Sequence, residues 1–321
     1  MRLSGHFWFF PWPPPLRRAP APCLSKGRYW GPTSEIDNAA LMKLALKIID
    51  PEGELGGVGI WVGDKKQGSY STVYFLQLIT GDKIAIKVPE VGYIERWTPE
   101  DAYNLHSEAT TMRSFRERCS GFLLPEVYAY STNLNNEIGA SYIVMEVMEG
   151  VPTCDIWRGA STEDIDEQNV AQNGYNLLES LAYSMARLRS MQCRKTGTFY
   201  FETDDNLDKP KIGSIHTWQD PSDINDHIDD ISIARKIVTF PARLSAHAYF
   251  RPVLVKKWGD DLDVEMKGAL KVTLKALECE PLARSSKPET TEETFVLQHP
   301  EFNLQNIICD PKTGEVTGII D

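Results

Sequence analysis

The sequence contains no run of apolar residues long enough to span a bilayer, so a transmembrane helix is excluded as an organising element. It also contains no C-x-x-C pair and no His/Cys cluster. Its six cysteines (Cys23, Cys119, Cys154, Cys193, Cys279 and Cys309) are scattered over 321 residues. That spacing argues against a zinc site and a disulfide framework, and reduced thiols inside a cell are the expected state. Neither a serine-hydrolase elbow nor a metalloprotease histidine pair is present. Positive charge is scarce too: 34 Lys and Arg stand against 45 Asp and Glu, a net charge of −11. A surface of that sign repels phosphate backbones, so nucleic acid is not the expected partner, and cationic small molecules are mildly favoured.

One stretch lacks the opposite sign. Residues 1–34 carry Arg2, Arg17, Arg18, Lys26 and Arg28 but no acidic residue. The charge pattern resembles a mitochondrial presequence, yet Pro11, Pro13, Pro14, Pro15, Pro20 and Pro22 prevent a continuous amphipathic helix. A targeting sequence and a disordered extension both remain open for this stretch, and with them a mitochondrial or a cytoplasmic location.

What is present is ordinary for a globular protein: 42% hydrophobic and 25% charged residues, in a chain long enough for two domains or lobes. The spacing of Leu41, Leu44, Ala45 and Ile48 predicts a helix over 37–49. Strand-like runs follow at 58–62, 71–80 and 83–88, the last two joined by a Gly81-Asp82 turn. Pro99 and Asp101 suit the first turn of a helix through Arg118, whose stripe is Leu105, Ala109, Met112 and Phe115. Two further strands are expected at 126–130 and 141–147. Helical periodicity marks 169–191 and 264–277, separated by an acidic stretch, 203–230, that reads as a long surface loop with short elements. A short strand at 295–297 and a hairpin, 307–309 to 316–320, close the chain. The expectation is an α+β protein with a small antiparallel β lobe and one helix over residues 35–148, then a mainly helical lobe over 149–321.

Moving a phosphoryl group requires a phosphate cradle, a charge clamp, metal ligands and a carboxylate near the acceptor hydroxyl, and candidates for each occur in that order. Residues 63–71 sit between two strands, where Gly68 lets backbone N–H groups approach phosphate and Ser69 and Ser71 add donors. Lys87 ends an apolar strand and needs an anionic partner there, for which Glu108 on the next helix is the natural candidate. Glu301 precedes Asn306 by five residues, and the closing hairpin ends in Asp321. Converging oxygen side chains of this kind suit Mg²⁺. His299 reads as a packed residue organising that loop.

These segments together resemble the aminoglycoside phosphotransferase-type (protein-kinase-like) family, particularly its divergent fungal members. The resemblance rests on residues 107–112, 124–130, 136–146, 181–191 and 197–201, and on the ending from His299 to Asp321. It implies a bilobal protein-kinase-like fold and an ATP- (or GTP-) and Mg²⁺-dependent kinase acting on a small-molecule hydroxyl. By the same resemblance Gly68, Ser69 and Ser71 would lie over the phosphates, with Lys87 paired to Glu108. Met145, Glu146 and Val147 would form the hinge that meets the adenine. Asn306 and Asp321 would hold Mg²⁺, with Glu301 in the place of the catalytic carboxylate. Two departures bear on activity. The family pattern has aspartate where this chain has Glu301, and it continues past the position of Asp321 with helices that shape the acceptor pocket. A truncated enzyme and a catalytically impaired nucleotide-binding module are therefore both expected readings. The acceptor and the oligomeric state are not legible.

Overall fold

The computed structural model describes residues 31–53, 59–68, 70–119, 121–157, 167–203, 206–219, 236–258, 264–279, 295–297 and 302–320. The readings made above for residues 1–30, Ser69, His299, Glu301 and Asp321 lie outside the described residues.

Helix α1 (Asn38–Ile49) starts where the Asp37 carboxylate accepts the Ala40 N–H at 3.3 Å. Strands β1 (Ile60–Gln67), β2 (Ser71–Leu78) and β3 (Lys83–Pro89) follow. Then come helix α2 (Pro99–Arg118) and strands β4 (Val127–Ser131) and β5 (Tyr142–Glu146). The five strands form one antiparallel sheet in the order β1-β2-β3-β5-β4. Alternation along the strands divides the sheet between two helices. Tyr74, Leu76 and Leu78 of β2, Ile84, Ile86 and Val88 of β3, and Tyr142 and Val144 of β5 pack with Leu41, Leu44 and Ala45 of α1. On the opposite face Val127 and Ile143 pack with Leu105, Ala109 and Met112 of α2. Strand β3 is accordingly buried on both sides from Ile84 to Val88.

The expected first strand, 58–62, is corrected in its reach. Strand β1 runs on through Lys65 and Lys66 to Gln67, with a register shift between Val62 and Lys65. Most of the expected phosphate loop is thus paired strand. The turn shrinks to the residues around Gly68, whose N–H donates to Ser71 O at 2.9 Å. Pairing to β2 outweighs the polar composition of 63–67, because a ladder bond satisfies each backbone group whatever the side chain.

The rest of the chain interleaves helices with short strand pairs. In order these are β6 (Val151–Pro152), α3 (Thr153–Trp157), α4 (Glu167–Arg187), β7 (Gln192–Cys193), β8 (Thr198–Tyr200), β9 (Lys211–Gly213), β10 (Ile215–Gln219) and β11 (Lys236–Phe240). Then follow α5 (Ala246–Trp258), α6 (Val264–Leu277), β12 (Phe295–Val296), β13 (Ile307–Cys309) and β14 (Val316–Ile319). Strand β13 pairs with both β14 and β6, while β7 pairs with β12, β8 with β9, and β10 with β11. A further core joins the C-terminal end of α2 (Phe115) to Leu177 of α4, Phe199 of β8, and Ile307, Val316 and Ile319 of the closing hairpin. The fold is α+β as expected, and among the described residues no sheet closes into a barrel.

Candidate active site

Lys87 and Glu108 meet because β3 and α2 cross on one face of the sheet. Helix α2 is fixed at its start by a capping box, in which the Thr98 hydroxyl accepts the Asp101 N–H and the Asp101 carboxylate accepts the Thr98 N–H. Pro99 occupies the first helical position, and the Asp101 side chain also accepts the Thr98 hydroxyl at 2.7 Å. From that anchor Glu108 faces the sheet, and the Lys87 ammonium donates to its Oε1 at 2.8 Å. Lys87 is 8% exposed. A charge so placed is costly unless paired, and the glutamate supplies the pairing.

The other end of the site is the segment after β5. Glu146 ends the strand, and its carboxylate accepts from the Arg116 guanidinium at 2.9 Å and from the Glu126 N–H at 3.0 Å. Its side chain therefore belongs to the scaffold that ties α2 to the sheet. Beyond it, the backbone N–H and C=O groups of Val147 and Met148 have no hydrogen-bond partner among the described residues. Gly150 then takes φ 123° and lies so close to the Cys309 carbonyl that a Cβ would collide with it. That approach lets Val151 and Pro152 pair with Cys309 and Ile308. The Thr153 hydroxyl donates to Ile307 O at 2.9 Å, and Met148 lies against Gly318. The sequence reading stopped the hinge at Val147. Strand β5 ends at Glu146, so the stretch with open backbone groups reaches one residue further, to Met148.

The closing hairpin brings the third part. Ile307 pairs with Ile319, and the Ile320 N–H donates to Asn306 O at 2.9 Å. Asn306 thus faces the residue just before Asp321 across the ladder. The Asn306 amide oxygen is a hard donor of the kind Mg²⁺ takes, while Asp321 lies outside the described residues. Among the described residues there is no cluster of three His, Cys, Asp or Glu that would hold a metal ion by itself. Gly68 is exposed at its turn and Ser71 is half-buried at the start of β2.

No family model matches the chain. A subtelomeric hrmA-associated cluster protein of Aspergillus fumigatus is 30% identical over 104 residues, which is 32% of this chain and 19% of that protein. A Candida tropicalis protein named altered inheritance of mitochondria protein 9, mitochondrial, is 28% identical over 138 residues, 43% of this chain and 21% of that protein. The chain spans only about a fifth of the length of the curated relatives it matches. Among solved structures, a macrolide 2'-phosphotransferase type I aligns with TM-score 0.43 at 14% identity, over 89% of this chain and 72% of its own. A Rio2 kinase–ADP/Mg²⁺–phosphoaspartate complex from Chaetomium thermophilum aligns with TM-score 0.28 at 14% identity, over 70% and 68%.

A separate apolar groove of about 340 Å³ lies between α3, α4 and β13, lined by Thr153, Ile156, Leu177, Leu178 and Cys309 among others. Among the described residues its lining includes no carboxylate or cation for phosphoryl chemistry. Burial holds the Cys309 thiol above its ordinary pKa, against a smaller lowering by the Thr153 hydrogen bond, so it stays protonated and unreactive at neutral pH. Among the described residues no helix is long and apolar enough to cross a membrane.

Proposed function

We propose that this chain binds ATP or GTP with Mg²⁺ between two kinase-like lobes, residues 35–148 and 149–321, and phosphorylates a hydroxyl of a small molecule. The observation that carries the reading is the 2.8 Å Lys87–Glu108 pair. An ion pair whose lysine is buried and whose glutamate is half-buried is a poor way to stabilise a fold, since apolar residues of similar volume do as well or better. Its retention in a strand that is otherwise apolar from Ile84 to Val88 fits a second task. That task is to aim an ammonium at the α- and β-phosphates of a nucleotide, as the resemblance to aminoglycoside phosphotransferases implies. The open backbone groups of Val147 and Met148 are donors and acceptors of the kind a purine edge requires.

In this reading Glu301 orients the acceptor hydroxyl and takes its proton as the oxygen attacks the γ-phosphorus. The bond from that phosphorus to the β–γ bridging oxygen breaks, and the nucleoside diphosphate, ADP or GDP, departs. Asn306 and Asp321 would hold Mg²⁺, which supplies charge neutralisation at the β- and γ-phosphate oxygens. Gly68, Ser69 and Ser71 would close over the phosphates. Glutamate in place of aspartate at 301 favours one alternative, a nucleotide-binding module with impaired transfer. The extra methylene moves the carboxylate by about an ångström, a displacement that can cost ~100-fold in rate.

The experiment is a thermal-shift titration of the chain with ATP·Mg²⁺ and GTP·Mg²⁺, alongside an assay of ADP or GDP release with hydroxyl acceptors. The expected result is stabilisation that Lys87→Ala reduces at least about tenfold in apparent affinity. Absence of any shift with either nucleotide overturns the reading. A shift without product supports the impaired-module alternative.

A further inference from the structure

Lys87 is not the only cation on its face of the sheet. Lys66 on β1 pairs with Val73 on β2, and Val73 pairs with Lys87 on β3. Residues directly opposite one another in antiparallel strands point to the same face, so Lys66, Val73 and Lys87 form one cross-strand row. The neighbour Lys65 confirms the facing. It pairs with Tyr74, which packs on the α1 side, and its ammonium bonds to Ser34 O at 2.8 Å and lies 3.1 Å from Glu35 Oε1. The Lys66 ammonium goes the other way and sits 5.8 Å from the centre of the Phe75 ring. Phe75 lies opposite Ala85, two residues along from Val73 and on the same face. Lys66 is exposed and has no ion-pair partner among the described residues.

We infer that Lys66 is a second phosphate-binding cation, which contacts the polyphosphate of a nucleotide held at Lys87. The inference rests on the nucleotide reading above. The charge argument is simple. The Lys87–Glu108 pair is neutral as a unit, and a chain of net charge −11 repels a polyphosphate at long range. An unpaired lysine in the same row, one residue before Gln67 and two before the Gly68 turn, offsets that repulsion locally. Two strand spacings, about 10 Å, separate the backbones of Lys66 and Lys87. Two long side chains with a polyphosphate between them close such a gap. The Phe75 ring keeps the ammonium on this face in the absence of ligand, a cation–π contact of ordinary length.

The test compares full-length wild type with Lys66→Gln, Lys66→Arg and Lys65→Gln, titrated with ATP·Mg²⁺ and with adenosine. Lys66→Gln is expected to weaken ATP binding about fivefold to tenfold and to leave adenosine unchanged, the size expected for an exposed, screened contact. Lys66→Arg should stay within about twofold of wild type, as should Lys65→Gln. Both sites are exposed, so a melting curve for each variant shows whether folding is intact. ATP affinity within about twofold of wild type for Lys66→Gln overturns the inference and leaves the nucleotide reading standing. So does an equal loss for adenosine, which would mean a contact with the base, or an equal loss in Lys65→Gln, which would mean diffuse charge. If wild type binds neither ligand, the nucleotide reading itself falls, and Lys66 with it.

Discussion

Strand β3 and helix α6 put apolar residues to opposite use. In β3 the side chains of Ile84, Ile86 and Val88 meet α1 while Ala85 and Lys87 turn to the α2 side, and all five are buried. In α6, Val264 is 87% and Val272 71% exposed. Stability should therefore reside where helices cover both sides of the sheet and where α2 meets α4, with little contributed by the outward face of α6. The widest contrast is between Phe115, 1% exposed at the end of α2, and Val272. Phe115→Ala should lower unfolding free energy by about 3–5 kcal/mol through lost burial and a cavity. Val272→Ala should stay within about 0.5 kcal/mol. Urea unfolding measures both. Comparable losses would mean that α6 is covered in solution and would end the contrast.

A subtler difference separates the two buried faces of α2. One is apolar and meets the sheet through Leu105, Ala109 and Met112. The other is polar: Ser107, Thr110 and Ser114 are all at most 3% exposed. The Ser107 hydroxyl donates to Phe199 O, the Ser114 hydroxyl donates to Leu207 O at 2.9 Å, and a ring nitrogen of His106 lies 2.7 Å from Phe201 O. These bonds hold the helix that carries Glu108. Ser107→Ala should cost about 1 kcal/mol, far less than Phe115→Ala, because one neutral hydrogen bond is removed. If the polar face also sets the position of Glu108, nucleotide affinity should fall further than Ser114→Ala makes it fall, although both lose a similar bond. Equal affinities in the two variants would reduce this face to packing alone.

The polar face of α2 also shows where sequence reading runs out. The apolar stripe of α2 was legible, and so were its limits, because Pro99 and Asp101 mark a helix start by backbone geometry. The polar stripe was not, since serine at helical spacing looks like a solvated surface until the carbonyls of Phe199 and Leu207 are brought against it. Helix α6 was legible over 264–277, whereas α5 was missed because Pro252 stands inside it and reads as a breaker. The pairing of β10 with β11 was missed because β10 lies inside the acidic stretch and its partner beyond it, and register across such a gap has no local signal. At the site, Lys87 and Glu108 could be paired from chemistry, as a lysine among apolar neighbours needs an anion. The facing of Lys66 could not, because the shift between Val62 and Lys65 decides which side of the sheet it takes.

The smallest effect sharpens the same contrast between used and unused polar groups on α2. Tyr103 stacks on Tyr200 with ring centres 5.0 Å apart and meets His216 edge-on at 4.9 Å. Among the described residues its buried hydroxyl has no hydrogen-bond partner, unlike those of Ser107 and Ser114. Removing an unpaired buried hydroxyl gives up no bond, so Tyr103→Phe should leave stability at neutral pH unchanged or raise it by less than about 1 kcal/mol. Burial, then the proximity of Tyr200, raises the Tyr103 pKa above 10.0. The folded state thus holds this proton more tightly than the unfolded chain does. The stability that follows is fully present below pH 10.0 and is lost as pH rises through the folded-state value. Tyr103→Phe has no such proton, so its margin over wild type should widen on titration above pH 10. Parallel stability curves for the two proteins through that range would show that the phenol is not desolvated against β8 and β10, and that this end of α2 is open to water.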